Sequence, residues 1–239
     1  TPAGIAHYLE HKMFDTEEGN ALQELAKNGA EPNAFTSNAI TAYYFDSTSK
    51  FEENLEILLK FVSIPYFTDE SVAKEQGIIG QEIRMIEDNP DWQIYHQMLK
   101  ALYQQNPAKT SIAGTIESIS HITAGTLYDC HKAFYTPSNM ILTVVGDVEP
   151  AAVSELAQRV LPRSGGPVIA RDYGQEPEAV AERENQIAME VSSPQFLSAF
   201  KCRPPERGED TLRTMILGDI ACDLLLGESS PLYQRLYSQ

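Results

Sequence analysis

Apolar side chains recur every three or four residues over much of the chain, a spacing typical of amphipathic helices. Phe51, Leu55 and Val62 show it clearly, and Pro65 ends that segment. Thr68 precedes two acidic residues and a second such pattern, as expected where a capped helix begins. The spacing predicts helices over 5–14, 17–28, 51–62, 72–88, 92–103, 123–135, 150–161, 211–226 and from 231 onward.

Strand-forming side chains interrupt the helical pattern at three places. In the first of them, Thr36, Tyr43 and Tyr44 are typical β-formers, and Ser37-Asn38 is a candidate turn. The predictions are one long or broken strand or a hairpin over 30–46, the clearest buried strand over 139–146, and a strand pair over 186–202.

The length of 239 residues suits one large domain or two modest ones. Gly, Pro and Glu become frequent after Arg163, as is typical of a linker. We therefore expect a first domain, a linker and the start of a second domain over residues 1–165, 166–182 and 183–239. The last part is too short for a core of its own, so we expect the second domain to be truncated.

Charge narrows the range of partners. The chain carries 18 Lys+Arg and 34 Asp+Glu, a net charge of −16. Nucleic acid and anionic membranes need clustered cations, so we expect neither as a partner. A cationic peptide remains compatible, although solubility alone explains the balance equally well. The cysteines Cys130, Cys202 and Cys222 are far apart, which favours a reducing compartment, and we expect a cytoplasmic location.

His7, Glu10 and His11 form a His-x-x-Glu-His pattern in the first predicted helix. Residues four apart share a helix face, so both imidazoles can be directed at one point. This is the inverted zincin motif, in which two histidines bind zinc and the glutamate acts as base. The alternative is a pair of surface histidines on an amphipathic helix. A catalytic zinc site also needs a third protein ligand from another element.

Glu75 and Glu82 are the candidates for that third ligand. Seven residues are almost two helical turns, so both carboxylates lie on nearly one stripe of the predicted helix 72–88. Their neighbours are mostly apolar, and a carboxylate buried there is costly unless it is paired or metal-bound. The alternative is that one or both face water, as most helical glutamates do.

The chain resembles the insulinase/pitrilysin metallopeptidases, which include the mitochondrial processing peptidases, and the similarity is to a bacterial branch. Four ordered blocks carry it: 4–14 resembles the zinc signature, 32–45 the substrate strand, 75–91 the third-ligand helix, and 135–148 the end of the first domain. Residues 229–233 resemble, more weakly, the start of the second repeat. The resemblance implies an α+β fold, a mostly antiparallel sheet with helices on one face in repeated domains. We expect two strands before the zinc helix and a distal half to lie outside this chain.

The resemblance also implies roles by position. It assigns Glu82 as the zinc ligand beside His7 and His11. It makes Glu75 an auxiliary catalytic acid that orients the site, and Glu10 the general base. The resemblance thus chooses between two carboxylates that the spacing alone leaves equivalent.

A substrate-binding strand follows from the same resemblance. Asn33 and Ala34 are expected on an edge strand that pairs with substrate backbone, and Phe35 either lines a side-chain pocket or joins the core. The expected function is a zinc-dependent endopeptidase for peptides or unfolded segments, with Glu10 acting on the metal's water. The alternative is a non-catalytic partner subunit of a paired peptidase, and a homodimer or a heterodimer with a family homologue is compatible with both.

Overall fold

A computed structural model describes residues 1–162, 168–205 and 208–237. The predicted end of the first domain and the predicted start of the linker fall on 163–167, outside the described residues. The described chain divides into two compact units, Thr1–Ala199 and Phe200–Gln239.

Helices dominate the first unit, and most begin and end within a few residues of their predicted bounds. In chain order the elements are α1 Ile5–Met13, β1 Asp15–Thr16, β2 Gly19–Asn20, α2 Ala21–Lys27, β3 Ala30–Thr36, β4 Thr41–Ser47, α3 Phe51–Ser63, α4 Asp69–Glu87, α5 Pro90–Leu102, α6 Ile116–Ser120, α7 Ala124–Phe134 and α8 Pro150–Val160. The described part of the second unit contains α9 Gly208–Leu226 and α10 Pro231–Tyr237.

β3 and β4 form a hairpin, which is the alternative, rather than the single strand, of the two expectations for residues 30–46. The N–H of Ser37 donates to the carbonyl of Ile40 at 2.8 Å and closes the turn. The strands run antiparallel with Thr36 opposite Thr41. Burial alternates along β3, so helices cover one face of the ladder and leave the other open. The α+β class with antiparallel strands and helices on one face is confirmed.

Two predicted strand regions are wrong. Residues 140–145 and 186–202 form no strand in the structure, and the side chains of Ile141 and Val145 are each 94% exposed. A run of apolar residues indicates a tendency to form a strand, but a strand also needs an adjacent strand for its backbone hydrogen bonds. No strand of the described residues pairs with either segment.

Two boundaries also differ from prediction. The second helix begins at Ala21 rather than near residue 17, because the side chain of Asn20 caps it by accepting the N–H of Leu22. Residues 104–120, where no helix or strand is predicted, end in α6, which begins with a capping box formed by Thr115 and Ser118.

The core packs around α1, the helix that carries both motif histidines. Its Tyr8 is fully buried, and the Tyr8 hydroxyl donates to the carbonyl of Val72 at 2.5 Å, which ties α1 to α4. Before α1, Gly4 has a φ of +89°, and a Cβ there would lie 2.5 Å from the carbonyl oxygen of Ala113. The start of α1 is thus fixed by direct backbone packing that only glycine allows. Among the described residues, no helix has both the length and the apolar character needed to cross a bilayer.

Candidate metal centre

α1 presents its two histidines side by side. His7 and His11 are one turn apart, and their ring centroids are 4.7 Å apart. Both side chains are largely shielded, with 12% and 26% of their surface exposed. The prediction that the two imidazoles share one helix face therefore agrees with their positions in the structure.

Glu82 of α4 completes a group of three ligand atoms. Glu82 Oε1 lies 3.4 Å from His7 Nε2, and Glu82 Oε2 lies 3.5 Å from His11 Nε2. The group offers one ligand atom per residue, with all three within 4.8 Å of one another. It is the one such group found among the described residues.

The separations in this group suit a tetrahedral metal ion. Ligand atoms about 2.1 Å from a zinc ion are about 3.4 Å apart at tetrahedral angles. A direct N–H···O hydrogen bond has a shorter N···O separation, about 2.7–3.2 Å. The distances of 3.4 and 3.5 Å match the first arrangement better than the second. Two imidazoles and a carboxylate are also the donor set of several catalytic zinc sites.

Glu75, the other carboxylate of α4, contacts the histidine pair from a different side. Its Oε1 lies 3.0 Å from His11 Nδ1. A carboxylate accepts only, so the proton resides on Nδ1, and Nε2 keeps its lone pair directed toward Glu82. This is the usual partner arrangement of a metal-binding histidine. His7 Nδ1 is buried and has no hydrogen-bond partner in the described part of the chain.

The charges of the site alter two pKa values. Burial alone lowers the pKa of His11, but its hydrogen bond to Glu75 and the charges of Glu75, Glu82 and Glu10 outweigh burial and raise that pKa. The His7 imidazole, assisted by His11, lowers the pKa of Glu82 although burial acts in the opposite direction. Glu82 is therefore held as a carboxylate, the form in which it binds a metal ion.

Glu10 lies beside the group, and its side chain is nearly inaccessible. The residue is 8% exposed, and its Oε2 accepts a hydrogen bond of 2.6 Å from the hydroxyl of Thr36. Thr36 was not predicted as a site residue. Sequence offers no signal for it, because a threonine in a strand is ordinary and its contact with Glu10 depends on how the hairpin packs on α1.

The three predicted substrate-binding residues lie on β3. Bonded pairs alternate along an antiparallel ladder, so the Ser37–Ile40 bond places Phe35 and Asn33 in bonded pairs with β4 and turns the backbone groups of Ala34 to the other edge. No other strand in the described residues covers that edge. Asn33 Oδ1 accepts the N–H of Ala34 there, at 2.8 Å.

Phe35 does not join the core. It is 45% exposed and packs edge-on against Tyr44, with ring centroids 6.4 Å apart. Alternation along the strand places it on the face opposite Thr36. The structure therefore brings Glu10, Glu75, Glu82, His7 and His11 together, with β3 beside them, while the Phe35 ring lies on the open face of the hairpin.

A relative with a zinc protease name matches the whole chain. The chain is 45% identical over its full length to a Bacillus subtilis protein named as the uncharacterised zinc protease YmfH, and covers 56% of it. A solved structure described as an M16-like peptidase from Alicyclobacillus acidocaldarius has a TM-score of 0.86 and 34% identity, with 100% of this chain and 57% of that chain covered. A protease from Helicobacter pylori has a TM-score of 0.66 and 26% identity over 73% of this chain and 45% of its own. The chain thus spans about half the length of these relatives.

Family comparison agrees with the motif blocks. Residues 1–116, which contain every residue of the candidate centre, match the insulinase family, peptidase family M16. Residues 121–239 match the M16 domain described as inactive. The resemblance drawn from the sequence is confirmed, and the chain belongs to the insulinase family, peptidase family M16.

Proposed function

We propose that the protein of which this chain is part is a zinc-dependent endopeptidase that hydrolyses peptides or unfolded segments. The single observation that carries the proposal is the convergence of His7, His11 and Glu82 at metal-ligand separations beside the buried carboxylate of Glu10. Two imidazoles, one carboxylate and an adjacent base are the parts that metal-assisted hydrolysis requires.

His7 Nε2, His11 Nε2 and a carboxylate oxygen of Glu82 would hold the metal ion. When bound, zinc supplies a Lewis acid that polarises a carbonyl and lowers the pKa of water toward about 7. Glu75 keeps His11 in the tautomer that binds, through the contact to Nδ1. The relatives' names support zinc as the metal.

Glu10 would act as general base and then as general acid. It takes a proton from the attacking water and later gives that proton to the nitrogen of the leaving amine. Its low exposure favours this role, because a carboxylate shielded from bulk water exchanges its proton with the substrate rather than with solvent. No other carboxylate of the centre serves this role, because Glu82 is a ligand and Glu75 is bonded to His11.

The open edge of β3 would bind substrate as an added strand. Backbone pairing holds an extended peptide largely irrespective of its sequence. A carbonyl of the incoming strand would replace the side-chain oxygen of Asn33 as the acceptor of the Ala34 N–H. The net charge of −16 favours basic or extended peptides, although it serves solubility as well.

A non-catalytic partner subunit is the second candidate. The match of residues 121–239 to the domain described as inactive favours it. The complete His-x-x-Glu-His set in residues 1–116 favours catalysis instead, because a silent subunit has no use for Glu10. Pairing with a second copy or a homologue agrees with both candidates. Zinc analysis of the intact protein separates them, since a silent subunit need not hold stoichiometric zinc.

The test of this function is Glu10→Gln in the intact protein, assayed on a quenched-fluorescence library of random peptides. Glutamine keeps the size of the side chain but cannot take up the proton, so we expect turnover to fall at least about a hundredfold. Zinc content should be unchanged, because Glu10 is not a ligand. Turnover that persists in this variant would contradict the assignment of Glu10 as base.

A further inference from the structure

The contact between Glu10 and Thr36 links α1 to β3. Thr36 Oγ1 donates to Glu10 Oε2 at 2.6 Å, across 26 residues of sequence. No second hydrogen bond to the Glu10 carboxylate occurs among the described residues. The position of this carboxylate relative to the metal ligands therefore depends on one hydroxyl group.

Thr36 is itself held in place from across the hairpin. It faces Thr41 in a non-bonded pair of the ladder, where opposing side chains come closest. Their hydroxyl oxygens are 3.3 Å apart. Thr36 gives its only proton to the carboxylate, so in that contact Thr41 is the donor. The branched side chain of threonine also restricts its χ1 rotation in a strand.

The side chain and the backbone of Thr36 face different parts of the site. Its side chain reaches Glu10 on the covered face of the hairpin. Its backbone belongs to the set that points to the open edge of β3, by the same alternation that applies to Ala34. A substrate strand paired at that edge would therefore lie beside Thr36, whose hydroxyl contacts Glu10.

We propose that Thr36 is the positioning residue for Glu10, holding one carboxylate oxygen so that the other is directed at the attacking water. The proposal rests on the proposed function, because it assigns a role only within peptide hydrolysis. In the reaction the water oxygen bonds to the scissile carbonyl carbon while a water O–H bond breaks and its proton goes to Oε1, and Oε2 keeps its hydrogen bond to the Thr36 hydroxyl. The same proton then moves from Oε1 to the leaving nitrogen as the C–N bond breaks, and the Thr36 proton is not consumed.

Thr36→Val tests the proposal in the zinc-loaded intact protein. Valine keeps the branched shape and the strand preference but has no hydroxyl, so Glu10 loses its anchor. We expect kcat to fall about tenfold to a hundredfold on the random peptide library, with KM changed less than about threefold. Thr36→Ser restores the hydroxyl and should recover most of kcat. Thr48→Val, an exposed threonine just beyond β4, is the matched control and should leave kcat unchanged.

The Glu10→Gln background separates the possible failures. If Thr36 acts through Glu10, Thr36→Val adds no further loss there. A merely structural role predicts the same added loss in both backgrounds and a lower zinc content or Tm. Thr36→Val with wild-type kcat, or Thr36→Ser as slow as Thr36→Val, overturns the proposal while leaving the proposed function intact. An active Glu10→Gln variant overturns both. Should Thr36→Val not fold, Thr36→Ala replaces it, alone and in the Glu10→Gln background, and the same outcomes decide.

Discussion

Glu75 shows how a residue outside the group of three ligand atoms affects the candidate centre. Its contact of 3.0 Å with His11 Nδ1 fixes the tautomer of a ligand whose other nitrogen faces Glu82. His7 has no comparable partner among the described residues. Within the described residues, the Nδ1 proton is therefore fixed at His11 alone, by the carboxylate of Glu75.

Replacing that carboxylate should weaken metal binding. With Glu75→Ala we expect zinc affinity to fall about tenfold to a hundredfold, because His11 loses both its orientation and some basicity. Competition with a chromophoric chelator measures the affinity. Glu87→Ala, on the same helix but exposed, is the matched control and should bind zinc as tightly as the wild type. Equal zinc affinities in the wild type and both variants would contradict a role for Glu75 in metal binding.

At the scale of residues, the sequence predicted which side chains meet at the candidate centre, but not every contact that holds them there. His7, Glu10 and His11 are identifiable because fixed spacing along a helix fixes their relative positions. Glu82 was chosen by resemblance, since spacing alone left it equivalent to Glu75. Thr36 could not be predicted as a site residue, because its contact with Glu10 depends on how the hairpin packs on α1.

Among the elements, the pairing of α1 with α4 determines whether the ligands meet. α1 carries both histidines and α4 both carboxylates, and the Tyr8 hydroxyl bonds the carbonyl of Val72 between them. Burial, and then the charge of Glu75, raise the pKa of Tyr8 to about 12, so this hydroxyl retains its proton and remains a donor. The packing at Gly4 fixes the start of α1 independently.

Tyr8→Phe isolates this link between the helices. The ring still fills its buried place, so only the hydrogen bond is lost, and we expect the free energy of unfolding to fall by about 1 kcal/mol. Denaturant unfolding measures it, with the partly exposed Tyr66→Phe as a control that should change little. Indistinguishable midpoints for Tyr8→Phe and the wild type would mean that the bond does not stabilise the pair.

The helices were predictable from the sequence to a greater degree than the strands. A helix satisfies its backbone within one segment, so spacing and caps such as Thr68 locate α4 from local sequence alone. A strand depends on a partner elsewhere in the chain. The hairpin 30–47 has its partner within reach, whereas 140–145 has none among the described residues and forms no strand, with Ile141 and Val145 exposed.

On the scale of the whole molecule, the candidate centre lies within one part of this chain, whereas the chain is shorter than the relatives it matches. Every residue of the candidate centre lies within residues 1–116, yet the chain spans 56% of YmfH and 57% of the Alicyclobacillus structure. The candidate metal centre thus lies entirely within this chain. The activity, substrates and partners of the whole protein are proposals that need the intact protein to test them.

The zinc content of the intact protein and its Glu82→Gln variant tests the central claim most directly. Elemental analysis after dialysis against a weak chelator should find about one zinc per chain in the wild type and in the control Glu87→Gln. Glu82→Gln should lose most of its zinc and its peptide hydrolysis together, because only two protein ligands remain. Zinc retained by Glu82→Gln at wild-type stoichiometry, or a wild type without zinc, would contradict the account.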